Sequence, residues 1–584
     1  MEMRAGKKML KMKNEPTICM KKKDRLTIST SGKQLFACLS ARGRRRLSAK
    51  FCRQHPARPS LPKKENGVTL NSTPRDFASS RAMRGALYGL LVISLVSVCL
   101  ASALGQEVKA VVSSNAGDRL SVKPPVHFEP SGTSSVPVYN IETGVMLQRM
   151  EGFGASFLEA GMICLRDLPP ADQEAVLRSL FDPVEGAGFS AMKTPIAGTD
   201  FMSAGPYYTY DDTPGDVEMN HFSIQRDLGP NGVITYIKRA RQYGKFVLQS
   251  PMDYPPDWML IDVEKHQDVD PKYYDALAHY YLRYLQEYQK QGVFIDYLSL
   301  FNEPRVGEGG YTAISYPEIR DLLKNHVGPL LQKAGVKSRI MLSEAPFRWH
   351  AGQYYPAVLD DPEARQYVKA LPYHGYDYLH QQGNFDKIRR LHEAYPDLPL
   401  WMTEVCFAGD AKIPKTSTLP QYEFADGTFW GSMIFSDIQA GASAWVYWNM
   451  ILDQHGGPWM VSPVHLDPNP NVQQPVVIIN RESKKVYYTG LYYFLAHFSK
   501  FVRPGAVRAQ MDGEYPGLQA VAFLSPEPEG GWYWVVQLLN TRPTDAQVRV
   551  ELGGRSLPLS LPGTSITTCL WKPSAGSIGN MPTP

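Results

Sequence analysis

Glu303 and Glu404 each follow directly on an apolar run. Phe294-Ile295-Asp296-Tyr297-Leu298-Ser299-Leu300-Phe301 leads into Asn302-Glu303-Pro304, and Leu398-Pro399-Leu400-Trp401-Met402-Thr403 leads into Glu404. An acid at the end of a buried strand is poorly placed for a surface ion pair. Singly, each has a plain structural alternative as a satisfied strand-end carboxylate. Together, two carboxyl groups about 5–5.5 Å apart across a sugar can hydrolyse a glycosidic bond with retention. Glu303 would be the acid/base, its pKa raised while Glu404 is ionised and lowered once the sugar esterifies the nucleophile Glu404. Asn302 would hydrogen-bond the sugar 2-hydroxyl, a contact that strengthens in the transition state.

Such a pair needs elements that bring both strand ends to one face. Short apolar runs at 149–155, 189–196, 246–250, 294–301, 339–343, 368–373, 398–403 and 442–448 alternate with amphipathic stretches at 170–180, 233–243, 272–288, 316–334, 385–395 and 422–440. Eight strands with intervening helices predict a (β/α)8 TIM barrel. Glu303 and Glu404 then close the fourth and seventh strands, which face one another across the barrel, and both sit at its C-terminal face. A doubly wound sheet would share the alternation, but Gly152-Phe153-Gly154 has no third glycine at the dinucleotide-binding offset. The runs 518–524, 532–539, 547–552 and 564–571 are short, alternating and separated by Pro/Gly turns, which predicts an all-β sandwich domain. The strand-like 105–148 is expected to join it. The expected divisions are a barrel over 149–486, a C-terminal sandwich over 487–572 and a tail over 573–584.

The charge is divided along the chain. The first 84 residues carry 22 Lys/Arg against 5 acids, so the net +5 of the whole leaves −12 on the rest. Residues 1–84 read as a basic, disordered extension, and the acidic remainder argues against a nucleic-acid partner. Residues 85–104 are apolar, preceded by Arg84 and ending in Ala101-Ser102-Ala103. They read either as a cleaved signal peptide or as a type II signal anchor, and both direct the rest into the secretory pathway, to a lysosome-like compartment, to the exterior or to a membrane. Beyond that segment remain Cys164, Cys406 and Cys569, too few for a disulfide framework. There is no His-Glu-x-x-His and no closely spaced ligand cluster, so no metal is expected, and a two-carboxylate mechanism needs no cofactor.

Several segments carry a resemblance: Gly152-Phe153-Gly154-Ala155, Asp200-Phe201, Tyr208-Thr209-Tyr210-Asp211-Asp212-Thr213-Pro214, Ser250-Pro251, Asn302-Glu303-Pro304, Glu404-Val405-Cys406, Trp448-Asn449, Gly456-Gly457-Pro458 and His497-Phe498-Ser499-Lys500-Phe501-Val502-Arg503-Pro504-Gly505. In this combination and order, over about 138–571, the chain resembles glycoside hydrolase family 30 and within it the glucosylceramidases. The resemblance implies Glu303 as acid/base, Glu404 as nucleophile and Asn302 as sugar contact. It further implies that Glu159 binds sugar hydroxyls, that His374 and Tyr376 stand beside the nucleophile, and that Trp448 and Asn449 line the pocket. The bland alternatives are a satisfied core histidine for His374 and barrel packing for Trp448.

Some positions depart from the family pattern. The segment Ser250-Pro251-Met252-Asp253-Tyr254-Pro255-Pro256 lacks the Trp usual in glucosylceramidases, Gly375 follows His374 where a Trp is expected, Lys193 stands for an Arg and Asp453 for an Asn. The leading expectation is a retaining β-glycosidase that hydrolyses glucosylceramide or a related β-glucoside to glucose and ceramide, with a membrane surface and an activator protein as further partners. The alternative is another β-glycan, a β-1,6-glucan or galactan, admitted by the smaller Met252 and Gly375. A catalytically silent glycan-binding barrel is the reading from a different class.

Overall fold

The computed structural model describes residues 106–573 apart from 203–206, 264–266, 305–313, 381, 409–423, 459–472 and 528–529. The basic extension over 1–84, the apolar segment over 85–104 and all but the first residue of the tail lie outside the described residues. Among the described residues no helix is long and apolar enough to cross a membrane.

Eight parallel strands close into a barrel in chain order: Gly152–Ser156, Ala191–Lys193, Val247–Pro251, Tyr297–Ser299, Arg339–Met341, Val368–His374, Leu400–Glu404 and Ala442–Asn449. Each falls on an apolar run of the sequence, because a strand covered by helices outside and side chains inside is buried on both faces and shows no alternation. The interior is packed by Ala191, Tyr297, Met341, Ala370, Trp401, Ala444 and Val446. At its N-terminal end Glu151 accepts hydrogen bonds from Tyr297 (3.0 Å) and Trp401 (3.1 Å), which closes the barrel floor. The register shifts between Tyr373 and His374 and between Tyr447 and Asn449, where strands six and eight leave the regular ladder at the C-terminal rim.

The glycines of Gly152-Phe153-Gly154 serve strand packing, not phosphate binding. A Cβ on Gly154 would lie 2.1 Å from the Ala191 carbonyl oxygen. The expected helix over 316–334 is broken into Tyr316–Leu322 and Gly328–Lys333 by a π turn, Leu323–Val327. Pro329 explains the break, since it supplies no backbone donor and its ring crowds the preceding turn.

The second core lies within an eleven-stranded sheet. Its C-terminal strands are Val507–Asp512, Leu518–Pro526, Trp532–Asn540, Ala546–Leu552, Arg555–Leu561 and Ser565–Trp571, and the N-terminal Glu107–Ser114 and Val138–Arg149 pair among them. The sandwich is therefore built from both ends of the chain. The sandwich boundary at 487 needs correction: Gly490–Phe501 is a helix that packs on the barrel, with Phe498 against Phe153 (5.4 Å) and Phe435 (5.1 Å). Its residues are apolar on nearly every side because barrel and sheet cover it from both directions.

Gly154→Ala is expected to destabilise the protein by about 1–3 kcal/mol, since strands one and two would have to part to admit a methyl group. Denaturant unfolding measures it, and an unchanged midpoint would refute the close approach.

Candidate active site

The two glutamates are held by backbone as much as by side chain. At the end of strand four, Asn302 N–H donates to the Met252 carbonyl (2.7 Å) and Glu303 N–H to the Glu344 carbonyl (2.9 Å). At the end of strand seven, the Glu404 carbonyl accepts from Gly375 N–H (2.9 Å) and the Val405 carbonyl from Trp448 N–H (3.0 Å). Glu303 has φ +43°, a left-handed backbone uncommon for a residue with a side chain, costing of order 1–3 kcal/mol.

Their side chains converge. One carboxylate oxygen each from Glu303 and Glu404 and one ring nitrogen of His374 lie within 4.8 Å of one another. His374 Nδ1 is 2.7 Å from Glu303 Oε1 and 3.7 Å from Glu404 Oε1, while Nε2 is 2.8 Å from Glu344 Oε2. Tyr376 donates its hydroxyl to Glu404 Oε1 at 2.8 Å. Lys193 Nζ, fully buried, lies 2.7 Å from Glu404 Oε2 and 2.8 Å from Glu344 Oε2. Trp448 covers this ammonium, its ring centre 4.9 Å from Nζ.

Charge explains why so many acids share one pocket. Burial raises the pKa of Glu303, and neighbouring Glu404 adds to the rise against the opposing pull of His374. Burial would make His374 less basic, but Glu404, Glu303 and Glu344 outweigh it and bring its pKa to about 9. Burial would also keep Glu344 neutral, but Lys193 and His374 outweigh it and hold its pKa at about 2. Two further carboxyls, on the loops after strands two and three, face the nucleophile: Asp200, raised to about 7 by burial and Glu404, and Asp253, raised well above its ordinary range mainly by burial. Lys193, between Glu344 and Glu404, and His374, between Glu303 and Glu344, thus stand as the cationic groups among these carboxyls.

The expected residues thus sort into two groups. Glu303, Glu404, His374, Tyr376 and Trp448 meet in one cluster, with Asn302 on the strand end that carries Glu303. Asn449 turns its amide to Gln473, and Glu159 pairs with Arg226 (3.1 Å) beside Thr194 and Tyr208 in a small cavity. Asp453 caps the turn before Gly457 and faces Arg481 at 3.8 Å. Gly375 leaves no open space where a Trp was expected, since a Cβ there would meet Arg348 and Val405 at 3.2 Å. Arg348 is itself buried, bidentate to Asp437 (2.8 and 2.7 Å), and donates its backbone N–H to Asp377 (2.8 Å), which fixes the segment bearing Tyr376.

Sequence reasoning missed Glu344, Asp200, Asp253 and the bridging role of Lys193. Glu344 ends strand five as Glu303 ends strand four, and that parallel was its available signal.

The model of the glycosyl hydrolase family 30 TIM-barrel domain matches residues 150–502, and that of the family 30 β-sandwich domain matches 505–569. The chain belongs to glycosyl hydrolase family 30. This family 30 enzyme is 29% identical over 412 residues to putative glucosylceramidase 2 of Caenorhabditis elegans, covering 67% of this chain and 74% of the relative. It is 26% identical over 444 residues (73% and 81%) to the mouse lysosomal acid glucosylceramidase. An endo-1,6-β-D-glucanase of Neurospora crassa is 28% identical over 389 residues (64% and 76%). Among solved structures, SrfJ from Salmonella typhimurium shares the fold at TM-score 0.71 and 21% identity, over 80% of this chain and 100% of SrfJ.

The raised His374 pKa sets a pH dependence of stability. Its folded value of about 9 exceeds the ordinary 6.5, so its contribution is complete below about 6.5 and lost as pH rises through 9. Thermal melts of the protein should fall across that window, and His374→Gln should flatten the fall; a variant that keeps the full slope would contradict the imidazolium.

Proposed function

We propose that this family 30 enzyme is a retaining β-glucosidase acting on glucosylceramide or a related β-glucosyl lipid. The observation that carries retention is the approach of the Glu303 and Glu404 carboxylates to within 4.8 Å. One oxygen from each acid within that bound suits the roughly 5–5.5 Å spacing of a retaining pair better than the roughly 6.5–9.5 Å that an inverting pair needs to seat its water. Glu404 attacks the anomeric carbon while Glu303 protonates the departing oxygen. The glycosyl ester is then opened by a water that Glu303 deprotonates, which restores both acids. Tyr376 and Lys193 orient Glu404 and disperse its charge, Trp448 offers an aromatic face to the sugar, and Asn302 a hydrogen bond. Asp200 and Asp253 extend the pocket with carboxyls suited to sugar hydroxyls. Glu159 and Asn449, turned to Arg226 and Gln473, would act at the edge of the pocket.

Two relatives named as glucosylceramidases support the lipid substrate. With it go a membrane surface and an activator protein as partners, and a place in the secretory pathway, consistent with the apolar segment at 85–104 and the lysosomal designation of the mouse relative. A second reading, β-1,6-glucan, has its support in the Neurospora relative; Met252 adds nothing to it, since it is buried against Tyr281 in the core.

Glu404→Gln is expected to lower kcat/KM on a fluorogenic β-glucoside by at least about 10³-fold. Glu303→Gln should cost about 10²–10⁴-fold on glucosylceramide but much less on the aryl glucoside, whose leaving group needs little protonation. Equal losses on both would argue against Glu303 as the acid. Wild-type turnover of glucosylceramide beside β-1,6-gluco-oligosaccharides decides the substrate, and cleavage of the oligosaccharide alone would replace the lipid reading.

A further inference from the structure

The nucleophile and acid/base assigned above each reach one third carboxylate through a single intermediary. Lys193 Nζ bridges Glu404 (2.7 Å) and Glu344 (2.8 Å), and His374 bridges Glu303 (2.7 Å) and Glu344 (2.8 Å). Glu344 also accepts from Thr403 Oγ1 at 3.0 Å, on the residue before the nucleophile, and from Gln249. Its backbone carbonyl receives the Glu303 N–H at 2.9 Å. The Glu344 side chain is fully enclosed, so it makes these contacts without competition from solvent.

We propose that Glu344 is a positioning residue that couples Glu404 to Glu303 through Lys193 and His374, so that the charge on the nucleophile is felt at the acid/base. The inference rests on the retaining two-acid reading. With Glu404 ionised, the charges of Lys193 and His374 are shared between Glu404 and Glu344. Esterification of Glu404 removes one anion while Glu344 keeps both cations in place. Their field then falls on Glu303 and favours the carboxylate that must take a proton from water in the second step. Asp200, Tyr316, Tyr376 and Cys406 also face Glu303, but none of them is a permanent cation.

Reach gives the pair a second signature. The family pattern has an Arg where Lys193 stands, and a guanidinium is both longer than an ammonium and planar. In this enclosed space it would press on Glu344, so a shorter acid at 344 should accommodate it.

The test uses wild type, Glu344→Gln, Lys193→Arg and the double variant Lys193→Arg/Glu344→Asp, assayed on a fluorogenic β-glucoside between about pH 4 and 9. Removing the Glu344 charge leaves the cations unopposed at Glu303. The alkaline limb of kcat/KM should therefore move to lower pH by about 0.5 unit or more, with kcat lowered at least ~10-fold. Lys193→Arg should lose activity, and the double variant should recover at least ~10-fold over it. A folded Glu344→Gln with the wild-type limb, or a double variant no better than Lys193→Arg, overturns the coupling. If Glu344→Gln does not fold, the double variant alone decides. A wild type that cleaves no β-glycoside sinks the two-acid reading itself, whereas an active wild type with an unmoved limb sinks only the role of Glu344.

Discussion

One buried ammonium, Lys193, between Glu344 and Glu404 sets the terms for the rest of the site. Bringing an unpaired charge into a protein interior costs several kcal/mol, and leaving a buried partner unpaired costs about 3–5 kcal/mol. Five carboxyls, those of Glu303, Glu344, Glu404, Asp200 and Asp253, and an imidazole gather around Lys193, whose ammonium offsets their charge. Strand two supplies the cation, strands five and seven its two anions, and strand six the imidazole that carries the network to strand four. The barrel keeps these strand ends at fixed spacing, and its floor, sealed by Glu151, Tyr297 and Trp401, leaves the C-terminal rim as the place where the acids gather.

The outer parts brace that geometry. Arg348 and Asp437, a buried bidentate pair on helices after strands five and seven, hold the segment from Gly375 to Asp377, and with it Tyr376, against the nucleophile. Tyr373 and Trp445 also donate to Asp437, at 3.0 and 3.1 Å. The sheet made from both chain ends runs into the barrel through Val138–Arg149, which precedes strand one by two residues, and through helix Gly490–Phe501. The family model continues the barrel through residue 502, and the contacts of this helix give that limit a physical basis.

The barrel was legible because its strands are buried on both faces and read as apolar runs, and the two strand-end glutamates stood out against them. Glu344 did not, since Ser343-Glu344-Ala345-Pro346 has the composition of a turn and one sequence shows no partner for it. Arg348 and Asp437 lie on helices, where a charge reads as a solvated face, so their burial was invisible. Asp200 and Asp253 sit on loops whose paths only the fold determines. The strands at Val507–Asp512 and Arg555–Leu561 escaped notice because Arg508 and Gln510 interrupt one and Pro558 the other. Helix Gly490–Phe501 was hidden in a segment assigned wholly to β-structure, its apolar surface nearly continuous.

Identification of the nucleophile tests the account at its centre. Incubation with a 2-deoxy-2-fluoro-β-glucosyl fluoride slows release of the sugar and lets a glycosyl ester accumulate, and peptide mass analysis locates it. A single label on Glu404 is the predicted result. A label on another residue, or an enzyme that turns over β-glucosides with inversion and takes no label, would contradict a retaining pair formed by Glu303 and Glu404.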